Sequence, residues 1–286
     1  MNMNTLNNEK RGNVINCLIE GCSIRSTVRM TGVAKKTVMR LLLEVGKVCA
    51  EYQDAAFRNL TCRRLQVDEL WAFVYCKQKN VTPRIAVRNP QAGDVWLWIA
   101  MDADTKLVPC WLLAGRDADA AAVFMRDLAS RLRYRVQLTT DGHRAYLTAV
   151  EQAFGADVDY SQLIKLYGEA PEPDTRYSPG ECIGCKRERV MGNPDPRHIS
   201  TSFVERQNLS VRMAMRRYTR LTNAFSKKIE NHEAAVALNY FAYNFIKVHG
   251  TLRTSPAMAA GVTDHLWDVS DLVSLWQGEE QGERAA

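Results

Sequence analysis

The chain has 286 residues, 46% hydrophobic and 24% charged, a balance that excludes a disordered, collagen-like or coiled-coil protein. Its 38 basic and 32 acidic residues leave a formal charge of +6, and the excess is local: Arg206 to Lys228 holds seven basic residues and no acidic one, which suggests a polyanion partner. No segment reaches the ~18 apolar residues that span a bilayer, and the polar start MNMNTLNNEKR has no apolar core, so a cytoplasmic protein without membrane contact is expected, its eight cysteines reduced.

Leu6, Val14, Ile15, Leu18 and Ile19 recur at helical spacing and predict a helix over 6–20, stopped by Gly21. Ser23 caps a short helix over 24–30. Thr31-Gly32-Val33 turns the chain, and a third helix follows over 35–48 with Val38, Leu41, Leu42 and Val45 facing inward. Helix, short helix, glycine turn, helix is the order of a helix-turn-helix. From Leu65 the pattern becomes β. Strands are predicted over 65–75, 94–105, 107–115, 135–142 and 158–168, with Asp104-Thr105 as a turn. Amphipathic helices over 117–132 and 143–155 interleave with them. Residues 169–200 hold five of the nine prolines and read as an irregular insertion. Helical pattern returns over 202–221 and 225–248.

This order predicts a mixed α/β (α+β) fold: a five-stranded mixed sheet flanked by helices, as in ribonuclease H-like domains. The expected division is a helix-turn-helix domain over 1–60 and a catalytic domain over 61–262 interrupted at 169–200. A C-terminal helix with a flexible tail would fill 263–286.

That order makes the first and fourth strands neighbours. Asp68 lies within the first, Asp141 at the end of the fourth, and Glu205 opens the helix after the insertion. Three converging carboxylates repel one another unless cations lie between them, and oxygen ligands select Mg²⁺ or Mn²⁺. Two ions ~3.5–4 Å apart can hold the attacking and leaving oxygens of an in-line phosphodiester displacement. Each acid also has a plain structural reading. Asp68 could be a paired strand acid, Asp141 a turn residue before Gly142, and Glu205 a first-turn acid favoured by the helix dipole. Strand alternation should turn Glu69 away from Asp68, and Asp102 and Asp104 should fall at the wrong end of the sheet. Along the helix after Glu205, Arg212 shares its face, and Arg216 and Arg220 extend that face at four-residue steps.

Several long stretches carry a resemblance: QVDELWAFV (66–74), WIAMDADTKLV (98–108), TTDGHRAYL (139–147), RYSPGECIG (176–184), GNPDPRHISTSFVERQNLSVRM (192–213), RRYTRLTNAFSKKIENH (216–232) and TLRTSPAMAAGV (251–262). They resemble transposases of the insertion-sequence-one family, a branch of the D-D-E transposases. The resemblance implies a ribonuclease H-like domain with Asp68, Asp141 and Glu205 as catalytic ligands of two Mg²⁺ or Mn²⁺ ions, and Arg212 as the basic residue seven after the Glu. It also implies cleavage of double-stranded DNA at terminal inverted repeats, joining of the 3′ ends to target DNA, and a homo-oligomer in the active complex. The 63 residues between Asp141 and Glu205 exceed the usual short spacing.

A helix-turn-helix would present Lys35, Lys36 and Arg40 to the major groove, and Arg212, Arg216, Arg217 and Arg220 would add phosphate contacts. Cys182 and Cys185 form a CxxC, but zinc needs about four ligands and only Cys62 and His198 offer themselves, so no structural zinc is expected. Two other functions fit the same residues: a catalytically inactive DNA-binding regulator, and a nuclease that cuts without joining.

Overall fold

The computed structural model describes residues 6–168, 182–219 and 223–285. They form two compact units that cut the chain differently from a division at 60 and 262. One unit takes the chain up to Arg58, Trp71–Leu97 and everything from Gln207; the other takes Asn59–Leu70 and Trp98–Arg206.

The second unit is built on a sheet. Its strands are β1 (Arg64–Val74), β2 (Gly93–Asp102), β3 (Cys110–Ala114), β4 (Val136–Asp141), β5 (Val158–Tyr167) and β6 (Cys182–Met191), in the order β3-β2-β1-β4-β5-β6. The end of β1 and the start of β2 fall in the first unit. β1, β4 and β5 run parallel, and β6 runs antiparallel to β5. Two helices, α5 (Ala118–Arg131) and α6 (Ala145–Phe154), pack on each other. Their apolar faces include the buried Phe124, Leu128, Tyr146 and Val150. Asp117 caps α5 by accepting from the Ala120 N–H at 2.8 Å. Trp98 is fully buried against Phe124 and Tyr146, with its indole N–H donated to the Gly115 carbonyl at 3.0 Å.

The sheet has six strands where the pattern predicted five. The extra strand comes from the segment read as irregular: 182–191 is β6, whereas 169–181 lies outside the described residues. β6 is an edge strand, mostly exposed and charged (CIGCKRERVM), so it lacks the apolar alternation by which strands are recognised.

The first unit is helical, with α1 (Asn8–Ile19), α2 (Ile24–Thr31), α3 (Lys35–Ala56), the short α4 (Pro83–Arg88), α8 (Ile229–Phe241), α9 (Pro256–Ala259) and α10 (Val269–Ala285). α7 (Ser202–Ala214) begins in the sheet unit and ends in this one. The Ser23 hydroxyl caps α2 by accepting from the Ser26 N–H at 3.0 Å, and Gly32 ends that helix at φ 68°, where only glycine is unstrained. α3 continues to Ala56 instead of stopping at Val48. Its last turns are held by Gln53, whose side-chain amide donates to the Ala237 carbonyl at 3.1 Å, and by Tyr52, whose ring meets Phe241, Phe245 and Trp267.

The helix predicted over 202–221 ends at Ala214 and passes into a 3₁₀ turn at Arg216–Tyr218. The one predicted over 225–248 starts at Ile229 and finishes in a π-helical turn over Ala242–Ile246. Within the C-terminal segment, Val269–Ala285 form the helix α10, and the Arg11 guanidinium from α1 lies over its Trp276 at 4.2 Å. α3 and α8 approach closely because position 46 is glycine: a Cβ there would meet the Ala234 Cα at 2.6 Å. Gly46→Ala should therefore cost about 1–3 kcal/mol of stability, the range for overpacking, read from the midpoint of urea unfolding.

Candidate active site

The parallel register of β1 and β4 pairs Val67 with Thr140, so Asp68 and Asp141 follow one residue further on, side by side. Asp68, Glu69 and Asp141 each present a carboxylate oxygen, and the three atoms lie within 4.8 Å of one another. Glu69 is thus a member of the cluster, contrary to the expectation that it would face away. Alternation fixes only the direction of Cβ. The longer Glu stem carries its carboxylate round to Arg116, whose Nη2 lies 3.3 Å from Glu69 Oε2 and 3.5 Å from Asp141 Oδ2. The Asp68 carboxylate in turn accepts from the Glu69 backbone N–H at 2.9 Å.

These acids open into a cavity of about 730 Å³ that Asp68, Asp141, His143, Lys165, Thr201 and Glu205 help to line. Glu205 stands outside the tight trio. It accepts from Lys165 Nζ at 2.6 Å and from the Thr201 hydroxyl. Its position is set by Gln66, which lies two residues before Asp68 on β1. The buried Gln66 Oε1 accepts from the Phe203 and Val204 N–H groups at 2.8 and 3.1 Å. Those are first-turn amides of α7, which have no partner within their own helix. One side chain therefore anchors the turn that bears Glu205 to the strand that bears Asp68.

Electrostatics reflects the crowding. Burial first, then the negative charge of Asp141, pushes both Asp68 and Glu69 up to about 7; Glu205 adds to the rise at Asp68. Burial draws the Lys165 ammonium down, but its bond to Glu205 and the charges of Glu205, Tyr167 and Asp68 together leave it raised. Burial and the Arg116 charge hold His143 below the usual imidazole range, and its backbone N–H donates to Asp141 Oδ1 at 2.9 Å. Oxygen donors of this kind suit a hard divalent cation.

The other residues singled out from the sequence fall elsewhere. Asp104 pairs with Arg64, and the buried Asp102 accepts from the Thr105 hydroxyl. Arg212 Nη1 donates to the Tyr218 carbonyl at 3.2 Å. The α-helix ends before Arg216 and Arg217, so neither extends that face. Arg216 is exposed, whereas Arg217 is half-buried, donates to Ser226 Oγ at 2.8 Å and is lowered by burial to about 10. Arg220 lies outside the described residues. Lys35 and Lys36 are exposed in the first turn of α3, and Arg40 pairs with Glu44 at 3.5 Å. Cys182 and Cys185 are exposed on β6, Cys62 is buried, and His198 contacts Arg64 at 2.6 Å.

Residues 91–164 match the DDE domain of the IS240 transposase family. Over that stretch the chain is similar to a transposase DDE domain. The matched region runs from just before β2 through most of β5 and contains Arg116, Asp141 and His143; Asp68 precedes it, and Lys165 and Glu205 follow it. No curated protein matches the sequence. Among solved structures, a piggyBac transposase synaptic complex with hairpin DNA is similar at 8% identity and a TM-score of 0.43, over 95% of this chain and 70% of that one. A Mos1 transposase paired-end complex with the left transposon end is similar at 14% identity and a TM-score of 0.24, over 56% of this chain and 60% of that one.

Gln66→Met should strip two buried amides of their acceptor and lower stability by about 1–3 kcal/mol in urea unfolding. DNA cleavage should fall with it, because Glu205 loses its anchor. The raised carboxyls also set a pH dependence. An unfolded Asp or Glu titrates near ~4, so between about 4 and 7 the folded, ion-free chain binds more protons and loses stability as pH rises. A divalent ion displaces those protons. The stabilisation by Mn²⁺, measured as a Tm shift, should therefore grow from pH 6 to 8 and be small at pH 5.

Proposed function

We propose that this protein is a DDE transposase that binds the terminal inverted repeats of an insertion element, cleaves phosphodiester bonds at its ends and joins the freed 3′ ends to target DNA, with Asp68, Asp141 and Glu205 as the catalytic acids. The observation that carries the reading is their convergence on one cavity: β1 brings Asp68, β4 brings Asp141, and Gln66 anchors the turn that brings Glu205. Asp68, Asp141 and Glu205 would hold two divalent ions, Mg²⁺ or Mn²⁺, which supply charge neutralisation at the scissile phosphate.

The chain's own groups have distinct parts in this reading. Arg116 and Lys165 hold the Asp141, Glu69 and Glu205 carboxylates in place, and both line the cavity where a phosphate enters. The His143 imidazole lines the same cavity, where burial and the Arg116 charge favour its neutral form. In residues 1–60, α2 and α3 would act as a helix-turn-helix, with Lys35, Lys36 and Arg40 reaching duplex DNA and Arg212, Arg216, Arg217 and Arg220 adding phosphate contacts. The sequence blocks favour a place close to the insertion-sequence-one transposases. Holding two element ends together calls for a homo-oligomer.

Asp68→Asn tests the chemistry. With Mg²⁺ and a duplex bearing an element end, cleavage should drop on the order of 10³-fold or more, while binding in a gel shift stays near that of the parent. Undiminished strand transfer would remove Asp68 from the site. A parent protein that binds ends but never cuts them would be a regulator, and one that cuts without joining would be a nuclease.

A further inference from the structure

The insert between β1 and β2 has no part in the acid cavity. From Tyr75 to Gly93 it holds four basic residues, Lys77, Lys79, Arg84 and Arg88, and no acidic one. Its short helix α4 starts at Pro83, is capped by the Thr82 hydroxyl and buries no residue. The insert is stitched to a second basic stretch by two bonds to backbone oxygens: Asn89 Nδ2 donates to the Lys227 carbonyl at 3.2 Å, and the Tyr75 N–H donates to the Ser226 carbonyl at 2.8 Å. Between them lies a groove of about 500 Å³ lined by Tyr75, Arg84, Arg88, Gln91, Lys227 and Lys228, with Glu230 the one acid on its wall.

The charge here is uncompensated. Arg84, Arg88, Lys227 and Lys228 are all exposed, and among the described residues none is paired with a carboxylate. Some helix cations elsewhere on this chain are neutralised within a turn, as in Arg40 with Glu44, Lys47 with Glu51 and Arg131 with Asp127. Four like charges in one concavity repel one another and hold no part of the fold together, so a polyanion is what relieves them. The arrangement also says which kind. Arg84 and Arg88 stand four residues apart on one face of α4, and the groove offers N–H donors without a series of rings on which unpaired bases could stack. Exposed cations of this sort contact phosphates, and phosphate contacts carry no sequence information.

We infer that this groove grips the phosphate backbone of double-stranded DNA without regard to sequence, as a surface additional to the residues assigned above. The inference rests on DNA being the partner of this protein, but not on the chemistry of the acid cavity. The test uses the full-length protein in EDTA with a short duplex of arbitrary sequence lacking any element end, followed by fluorescence anisotropy across a series of KCl concentrations. Arg84→Ala with Arg88→Ala should weaken binding roughly tenfold or more and flatten the log–log salt slope by about two. Lys227→Ala with Lys228→Ala should do the same. Because the four side chains are exposed, thermal melting should match the parent. A slope and affinity unchanged in both double variants overturn the inference, and so does a parent that binds single-stranded RNA through these residues better than duplex DNA. Without a divalent ion no cleavage occurs, so loss of cleavage in Asp68→Asn leaves this result untouched.

Discussion

Like charges in a confined space are the constraint around which the sheet unit is organised. Asp68, Glu69 and Asp141 come within 4.8 Å of one another, and burial strengthens their repulsion. The chain relieves it in two ways. Arg116 reaches Glu69 and Asp141, while Lys165 takes Glu205. The remaining excess appears as protons retained on Asp68 and Glu69 up to about pH 7. Both devices are exchangeable: a divalent cation competes with a guanidinium or a proton for the same oxygens. A cavity balanced in this way can hold its shape while empty and still accept an ion without rebuilding its walls.

The backbone accounts for why the acids meet. Parallel pairing of β1 with β4 aligns residues far apart in the chain, and a register slip of one would send Asp68 to the opposite face. β4 ends at Asp141, so the acid stands at a strand terminus, followed by the turn at Gly142. The third acid comes from a helix, and helices have no ladder to fix them to a strand. Gln66 supplies that fixation through two hydrogen bonds.

Much of this was legible in the amino-acid order, because β-branched and aromatic runs mark buried strands and glycine marks helix ends. β1 and β4 were found on that basis, and with them the placement of Asp68 and Asp141. What escaped notice lacks such a signature. β6 is charged and sits at an edge; α4 has six residues and no apolar face; α7 stops at Ala214 although its helical pattern runs on, because the chain turns there into a 3₁₀ segment. Glu69 was set aside by alternation, a rule about Cβ that does not bind the end of a long side chain. Arg116 and Lys165 had no motif at all. Their partners are 47 and 40 residues away in sequence, and only the folded sheet brings each pair together.

The Gln66 clamp bears on how copies of such a gene are judged. Gln66 is uncharged and touches no reacting atom, yet a single-codon change there would detach the third acid from the other two. A chain with every carboxylate preserved can thus still lose the shape of its acid cavity at a glutamine.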